Sequence, residues 1–193
     1  EVARAEYWAR VRLDPYLAPG ASTESRSVSG YYFRFLLEAL GIVDPETSRA
    51  FAEWRKGYNP PVGLWNQADP EAERQLHRLR ALDLGTGVVS NSNGSVRALQ
   101  EELGLARYLD FVLDSSVVGV EKPDPRIFRM ALDEAKVAPT EAVYIGDLYS
   151  VDVLGARGVG LQAILLDPGK VWGNVDCPVA RSLSEAVDLA LRL

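Results

Sequence analysis

The sequence predicts an α/β fold built on a parallel sheet, and three observations carry that prediction. From residue 69 onward, short apolar runs of strand length alternate with helical stretches, as in a sheet whose strands are joined by crossover helices. Those runs, among them Phe111-Val112-Leu113 and Leu161-Gln162-Ala163-Ile164-Leu165-Leu166, suit strands covered on both faces. Residues 1–67, by contrast, read as helices and loops with no convincing strand, so a smaller helical unit precedes the sheet.

The elements follow in order. Over 28–40, apolar groups fall at 28, 32, 35, 36 and 39, which is helical spacing, and Gly41 suits the C-cap. Residues 46–56 form a second amphipathic candidate with Phe51 and Trp54 on one side; 18–23 and 57–61 are loops. Asp69-Pro70 offers an N-cap and a first-turn proline for a helix through Leu82. A short buried strand is expected at 87–90, a helix at 95–103 ending at Gly104, and a strand at 111–113. Asp124-Pro125 caps a helix to Lys136, a strand follows at 142–145, a helix at 150–156 and a strand at 161–166. Ser182-x-x-Glu185 is a capping box that opens the last helix, 184–191.

Composition narrows the function. A chain of 193 residues, 47% hydrophobic and 25% charged, is enough for one buried core, with or without an insert. Its 21 Lys and Arg against 27 Asp and Glu give a net charge of −6 with no basic run, which disfavours nucleic acid as a partner. The single cysteine, Cys177, excludes an intrachain disulfide and a cysteine-rich zinc site, and points to a cytoplasmic location. No apolar run approaches the length of a membrane span, and Glu1-Val2-Ala3-Arg4-Ala5-Glu6 is no signal peptide. The absent initiator Met leads us to expect a segment upstream.

In parallel sheets, ligands bind at the carboxyl ends of strands, so the residues there are the candidates. After Val88-Val89 come Ser90-Asn91-Ser92-Asn93-Gly94 and a helix, which offers a hydroxyl and backbone N–H groups to an anion. The same stretch also reads as a polar turn. Lys122, in Gly119-Val120-Glu121-Lys122-Pro123-Asp124-Pro125, could meet a phosphate or a carboxylate, or lie solvated at the surface. Asp147 and Asp152, after Val143-Tyr144-Ile145, suit a hard cation such as Mg2+, although Asp147 also reads as a turn residue.

Taken together, Val88-Val89-Ser90-Asn91, then Glu121-Lys122-Pro123-Asp124-Pro125-Arg126-Ile127-Phe128, then Tyr144-Ile145-Gly146-Asp147-Leu148-Tyr149-Ser150-Val151-Asp152 resemble the haloacid dehalogenase (HAD) superfamily. The likeness covers residues 69–170 and contains family motifs two, three and four in order. It implies a Rossmann-like α/β core, 68–193, with a small α-helical cap domain, 1–67. It also implies roles. Ser90 and the Asn91 backbone N–H would bind the substrate phosphoryl oxygens, Lys122 would neutralise the transferring phosphoryl group, and Asp147 would bind Mg2+. Asp152 would support the Lys122 ammonium or a metal-bound water.

The family's first motif, whose leading Asp is the nucleophile, does not occur ahead of the cap. Leu82-Asp83-Leu84-Gly85-Thr86-Gly87 has the wrong spacing; Gly85 and Gly87 suit a helix end and a turn. In the family the first strand lies between the strands that end here at Ser90 and Ile145. Without it those strands would stand about 10 Å apart, twice the usual spacing. The strand and its Asp are therefore expected upstream of residue 1.

The expected activity is Mg2+-dependent hydrolysis of a small phosphomonoester through an aspartyl-phosphate, by a monomer or homodimer. The alternatives are a metal-independent 2-haloacid dehalogenase and a non-catalytic binding module on the same fold. Asp147 favours the first, since family dehalogenases use no metal. His77 is expected at the surface, and the four tryptophans chiefly in packing. Trp65 is a candidate for the pocket roof, and Arg55 or Lys56 for a reach to substrate from the cap; hinges are expected near 66–70.

Overall fold

The computed structural model describes residues 1–18, 22–23, 25–58 and 65–193. The loops expected at 18–23 and 57–61 fall largely outside them. Three helices open the chain: α1 (Val2–Leu17), α2 (Arg26–Ala39) and α3 (Pro45–Tyr58). The buried stripe of α1 is Ala5, Ala9, Leu13 and Leu17; two alanines give little apolar contrast, so its sequence signal is faint. It packs along α2, where Ala9, Leu13 and Leu17 meet Val28, Tyr32 and Phe35. Val151, from the far end of the chain, joins this cluster and ties the helices to the sheet. At the start of α2 the Ser25 side chain accepts from the Val28 N–H. Beyond its end Gly41 takes φ +78°, the left-handed conformation that closes a helix.

Thereafter helix and strand alternate: α4 (Ala72–Ala81), β1 (Gly87–Ser90), α5 (Val96–Glu102), β2 (Phe111–Asp114), α6 (Ser115–Val118), α7 (Pro125–Ala135), β3 (Val143–Gly146), α8 (Leu154–Arg157), β4 (Gln162–Leu166), β5 (Val179–Ala180) and α9 (Leu183–Ala190). All the strand pairs are parallel: β1 with β2, β3 with β4, and β4 with β5. They form two ladders, β1-β2 and β3-β4-β5. Among the described residues β1 and β3 do not pair. The side chain of Tyr144 on β3 reaches over instead, its hydroxyl 3.2 Å from the Val89 carbonyl. The β1 strand is half-buried to exposed along its length, not buried as expected; among the described residues no strand pairs with its edge away from β2.

The core lies where α7 and α8 meet the strands. Ile127 and Phe128 are fully buried there with Val153, Ala156 and Leu165. A Cβ on Gly155 would sit 2.7 Å from the Phe128 ring, so only glycine lets α8 approach α7 so closely.

Three local expectations are corrected. The Asp69 carboxylate accepts from the Glu71 N–H at 2.7 Å, a tight turn that delays α4 to Ala72. The left-handed residue after α4 is Asp83, φ +56°, not Gly85, and Gly87 opens β1. That places Asp83 at the opposite end of β1 from Ser90. The helix expected over 150–156 begins as a π turn, Tyr149–Val153, and only α8 is regular. No helix among the described residues is long and apolar enough to cross a membrane.

Candidate active site

The loop after β1 is fastened to the end of β2. The Asp114 carboxylate accepts from the Gly94 N–H at 3.0 Å and the Val96 N–H at 3.3 Å. The Ser115 hydroxyl accepts from the Ser92 N–H at 3.0 Å. The Ser90 hydroxyl, at the mouth of this loop, makes a long contact among the described residues, 3.4 Å to the Asn91 carbonyl. The Asn91 side chain is engaged by the Lys122 backbone: its amide donates to the Lys122 carbonyl at 2.9 Å, and its oxygen accepts from the Lys122 N–H at 2.7 Å. What Asn91 can offer a ligand is therefore its backbone N–H, and its carboxamide fixes where Lys122 starts.

The Lys122 ammonium lies 2.8 Å from Asp152 Oδ1 and 3.0 Å from the Tyr144 hydroxyl. Its side chain is 12% exposed and that of Asp152 4%. The other Asp152 oxygen accepts from the Asp147 and Leu148 N–H groups, at 3.0 Å each. The Tyr144 hydroxyl stands 3.5 Å from Oδ1 and 3.2 Å from the Val89 carbonyl, and its single proton serves one of the two. Asp152 Oδ1 supports the ammonium. Burial works against the charge on Lys122, but Asp152 and Tyr144 outweigh it and hold the ammonium above the usual lysine range. Burial pushes the Tyr144 hydroxyl up to about 12.

Gly146 makes room for Asp152, because a Cβ there would fall 2.3 Å from the Asp152 Cβ. Gly146→Ala is expected to cost about 1–3 kcal/mol through overpacking, read from the urea midpoint. A cost under about 0.5 kcal/mol would show that the turn relaxes freely.

The Asp147 side chain is 40% exposed and ion-paired with Arg10 of α1, which also holds Glu6. One turn along α1, the Asp14 carboxylate accepts from the Ser150 N–H at 2.9 Å and from its hydroxyl at 2.7 Å. Burial pushes the Asp14 carboxyl up, with the Ser150 hydrogen bonds opposing. Sequence reasoning missed Asp14, Arg10 and Tyr144. The first two meet partners more than 130 positions away, and Tyr144 read only as a strand residue.

Ser90, Asn91, Lys122, Asp147 and Asp152 all line one cavity of about 510 Å³. Its other side is formed by Val28, Ser29, Tyr32, Phe33, Arg55 and Trp65. No cluster of three or more His, Cys, Asp or Glu suited to a metal occurs among the described residues. Asp147 nevertheless offers a carboxylate facing the cavity. Mg2+ commonly takes one or two carboxylates, with waters and substrate phosphate completing its shell; Asp147 supplies one carboxylate at the cavity, and here it is paired with Arg10.

Residues 61–160 match the family model of haloacid dehalogenase-like hydrolases. The chain belongs to that family. A phosphoserine phosphatase of Thermus thermophilus is 37% identical over 170 residues, 84% of this chain and 63% of that protein. The chain thus spans less than two thirds of that relative's length. A 2-haloacid dehalogenase from Pseudomonas syringae superposes with a TM-score of 0.60 and 31% identity, over 97% of this chain and 80% of that one. A HAD-hydrolase of Bacillus subtilis bound to magnesium superposes with a TM-score of 0.65 over 98% of this chain and 82% of that one. At 17% identity, this last likeness concerns the fold.

Proposed function

We propose that the protein is a cytoplasmic, Mg2+-dependent phosphatase that hydrolyses a small phosphomonoester through an aspartyl-phosphate. The observation that carries this reading is the convergence of Ser90, Lys122 and Asp147 on one cavity at the strand ends. The named phosphatase among its relatives supports it, and the single Cys177 suits the compartment.

Each residue then has a task in positioning and charge neutralisation, which dominate phosphoryl transfer. The Ser90 hydroxyl and the Asn91 N–H bind phosphoryl oxygens. The Lys122 ammonium, held by Asp152 and Tyr144, stands against the charge of the phosphoryl group. Mg2+, held through Asp147, would supply further positive charge beside the phosphoryl oxygens. We assign the attacking carboxylate to a strand that would fill the sheet between β1 and β3, which do not pair among the described residues. Residues 1–67 act as the cap and 68–193 as the core, with the cap excluding water from the reacting group.

The test is phosphate release by the full chain from a panel of phosphomonoesters, with Mg2+ and with EDTA. Turnover lost in EDTA and restored by Mg2+ is expected. Metal-independent halide release from 2-haloacids would replace this reading with dehalogenation, which the Pseudomonas structure brings into view. Binding of phosphate with neither turnover would make the chain a non-catalytic module.

A further inference from the structure

We infer that Asp14 of α1 is a positioning residue for the turn that carries Asp147 and Asp152: by accepting both donors of Ser150 it holds that turn in the shape in which Asp152 meets Lys122. The inference rests on the phosphatase reading and adds to it a residue supplied from outside the strand ends.

The turn needs an acceptor that it does not itself provide. Its π stretch begins at Tyr149, and the first N–H groups of a helical turn have no acceptor within it. Asp152 serves two of the N–H groups that open this segment, those of Asp147 and Leu148, at 3.0 Å each. Ser150 follows them and is buried, where an unsatisfied N–H is costly. Asp14 Oδ1 supplies the acceptor, 2.9 Å from the Ser150 nitrogen and 2.7 Å from its hydroxyl. Two carboxylates therefore hold the turn, Asp152 from inside it and Asp14 from α1.

The same face of α1 is fitted to this turn at two more points. Arg10, one helical turn before Asp14, is ion-paired with Asp147. Val151 is fully buried among Ala9, Leu13 and Leu17 of α1. Packing alone would be served by an apolar side chain at position 14. The chain instead buries a carboxylate there, steadied by the Ser150 hydrogen bonds against burial and the nearby charge of Asp152. A charge buried in that way is unfavourable in itself; what it secures is the seat of Asp152.

Asp152 Oδ1 stands 2.8 Å from the Lys122 ammonium, so a shift of the turn displaces the ammonium from the phosphoryl group. Misplacement by about 1 Å lowers turnover by about 10². The loop that follows Ser90 is fastened elsewhere, to Asp114 and Ser115, and keeps its hold on the phosphoryl oxygens. Loss of Asp14 should therefore fall on kcat and spare KM.

The experiment is steady-state hydrolysis of p-nitrophenyl phosphate by the full chain in Mg2+, with urea unfolding of each variant. Asp14→Ala is expected to lower kcat about tenfold to hundredfold, with KM within about twofold of wild type. Asp14→Asn keeps an oxygen for the two donors and should recover most of kcat. Ser150→Ala removes the hydroxyl and leaves the N–H, so a smaller loss, about threefold, is expected. Combined with Asp14→Ala it should add nothing, because both act through one contact. A folded Asp14→Ala with kcat unchanged, a loss confined to KM, or an Asp14→Asn no better than Asp14→Ala overturns the positioning role and leaves the phosphatase reading standing. Should Asp14→Ala not fold, Ser150→Ala decides, and an unchanged kcat there overturns the role. Wild type without turnover on this probe or on the panel of phosphomonoesters overturns the phosphatase reading, and the inference with it.

Discussion

Asp152→Ala is expected to destabilise the protein by about 3–5 kcal/mol, the cost of removing one partner of a buried ion pair. The size follows from what is left behind. The Lys122 side chain is 12% exposed and would keep its charge with only the Tyr144 hydroxyl beside it. The Asp147 and Leu148 N–H groups, both bonded to Asp152 Oδ2 at 3.0 Å, would lose their acceptor. Asp152→Asn restores an oxygen for those amides but not the negative charge, so it should recover part of the loss. The measurement is urea unfolding of both variants. A loss under about 1 kcal/mol for Asp152→Ala, the size of an exposed pair, would mean that Lys122 escapes to solvent and that the network does not hold the ammonium in place.

Asp147→Asn should leave stability almost untouched and remove activity. Its carboxylate is 40% exposed and its partner Arg10 lies in α1; pairs of this kind contribute little, about 0–1 kcal/mol. If Asp147 holds the Mg2+ that offsets phosphoryl charge, turnover should fall by about 10²–10³, the usual effect of losing one preorganised electrostatic group. Calorimetric titration with Mg2+ alone should show weakened binding in the same variant. An unchanged Mg2+ affinity together with unchanged turnover would remove Asp147 from the metal site.

The strands that carry the site were legible because each is a short apolar run followed by polar residues, a local pattern in the sequence. Ser90, Lys122 and Asp147 could be placed near one another for that reason: parallel strands bring their carboxyl ends to one edge. What could not be read is what the chain joins over distance. The contacts of α1 with the turn after β3, through Asp14 and Arg10, link residues more than 130 positions apart and leave no periodic trace. The small side chains of Ala5 and Ala9 hid the helix that makes them. The π turn at Tyr149–Val153 answers to the demand that Asp152 reach back to the Asp147 and Leu148 amides, a tertiary requirement that helix spacing does not encode. Strand β5, two residues long, is too brief for any pattern.

Asp152 grips the ammonium with one oxygen and the turn bearing Asp147 with the other. The spacing between the Lys122 ammonium and the Asp147 turn is therefore gauged by a single side chain, like two instruments mounted on one bracket. Substitutions at Lys122 and Asp147 will not be independent, since a disturbance of either is transmitted through that shared mount.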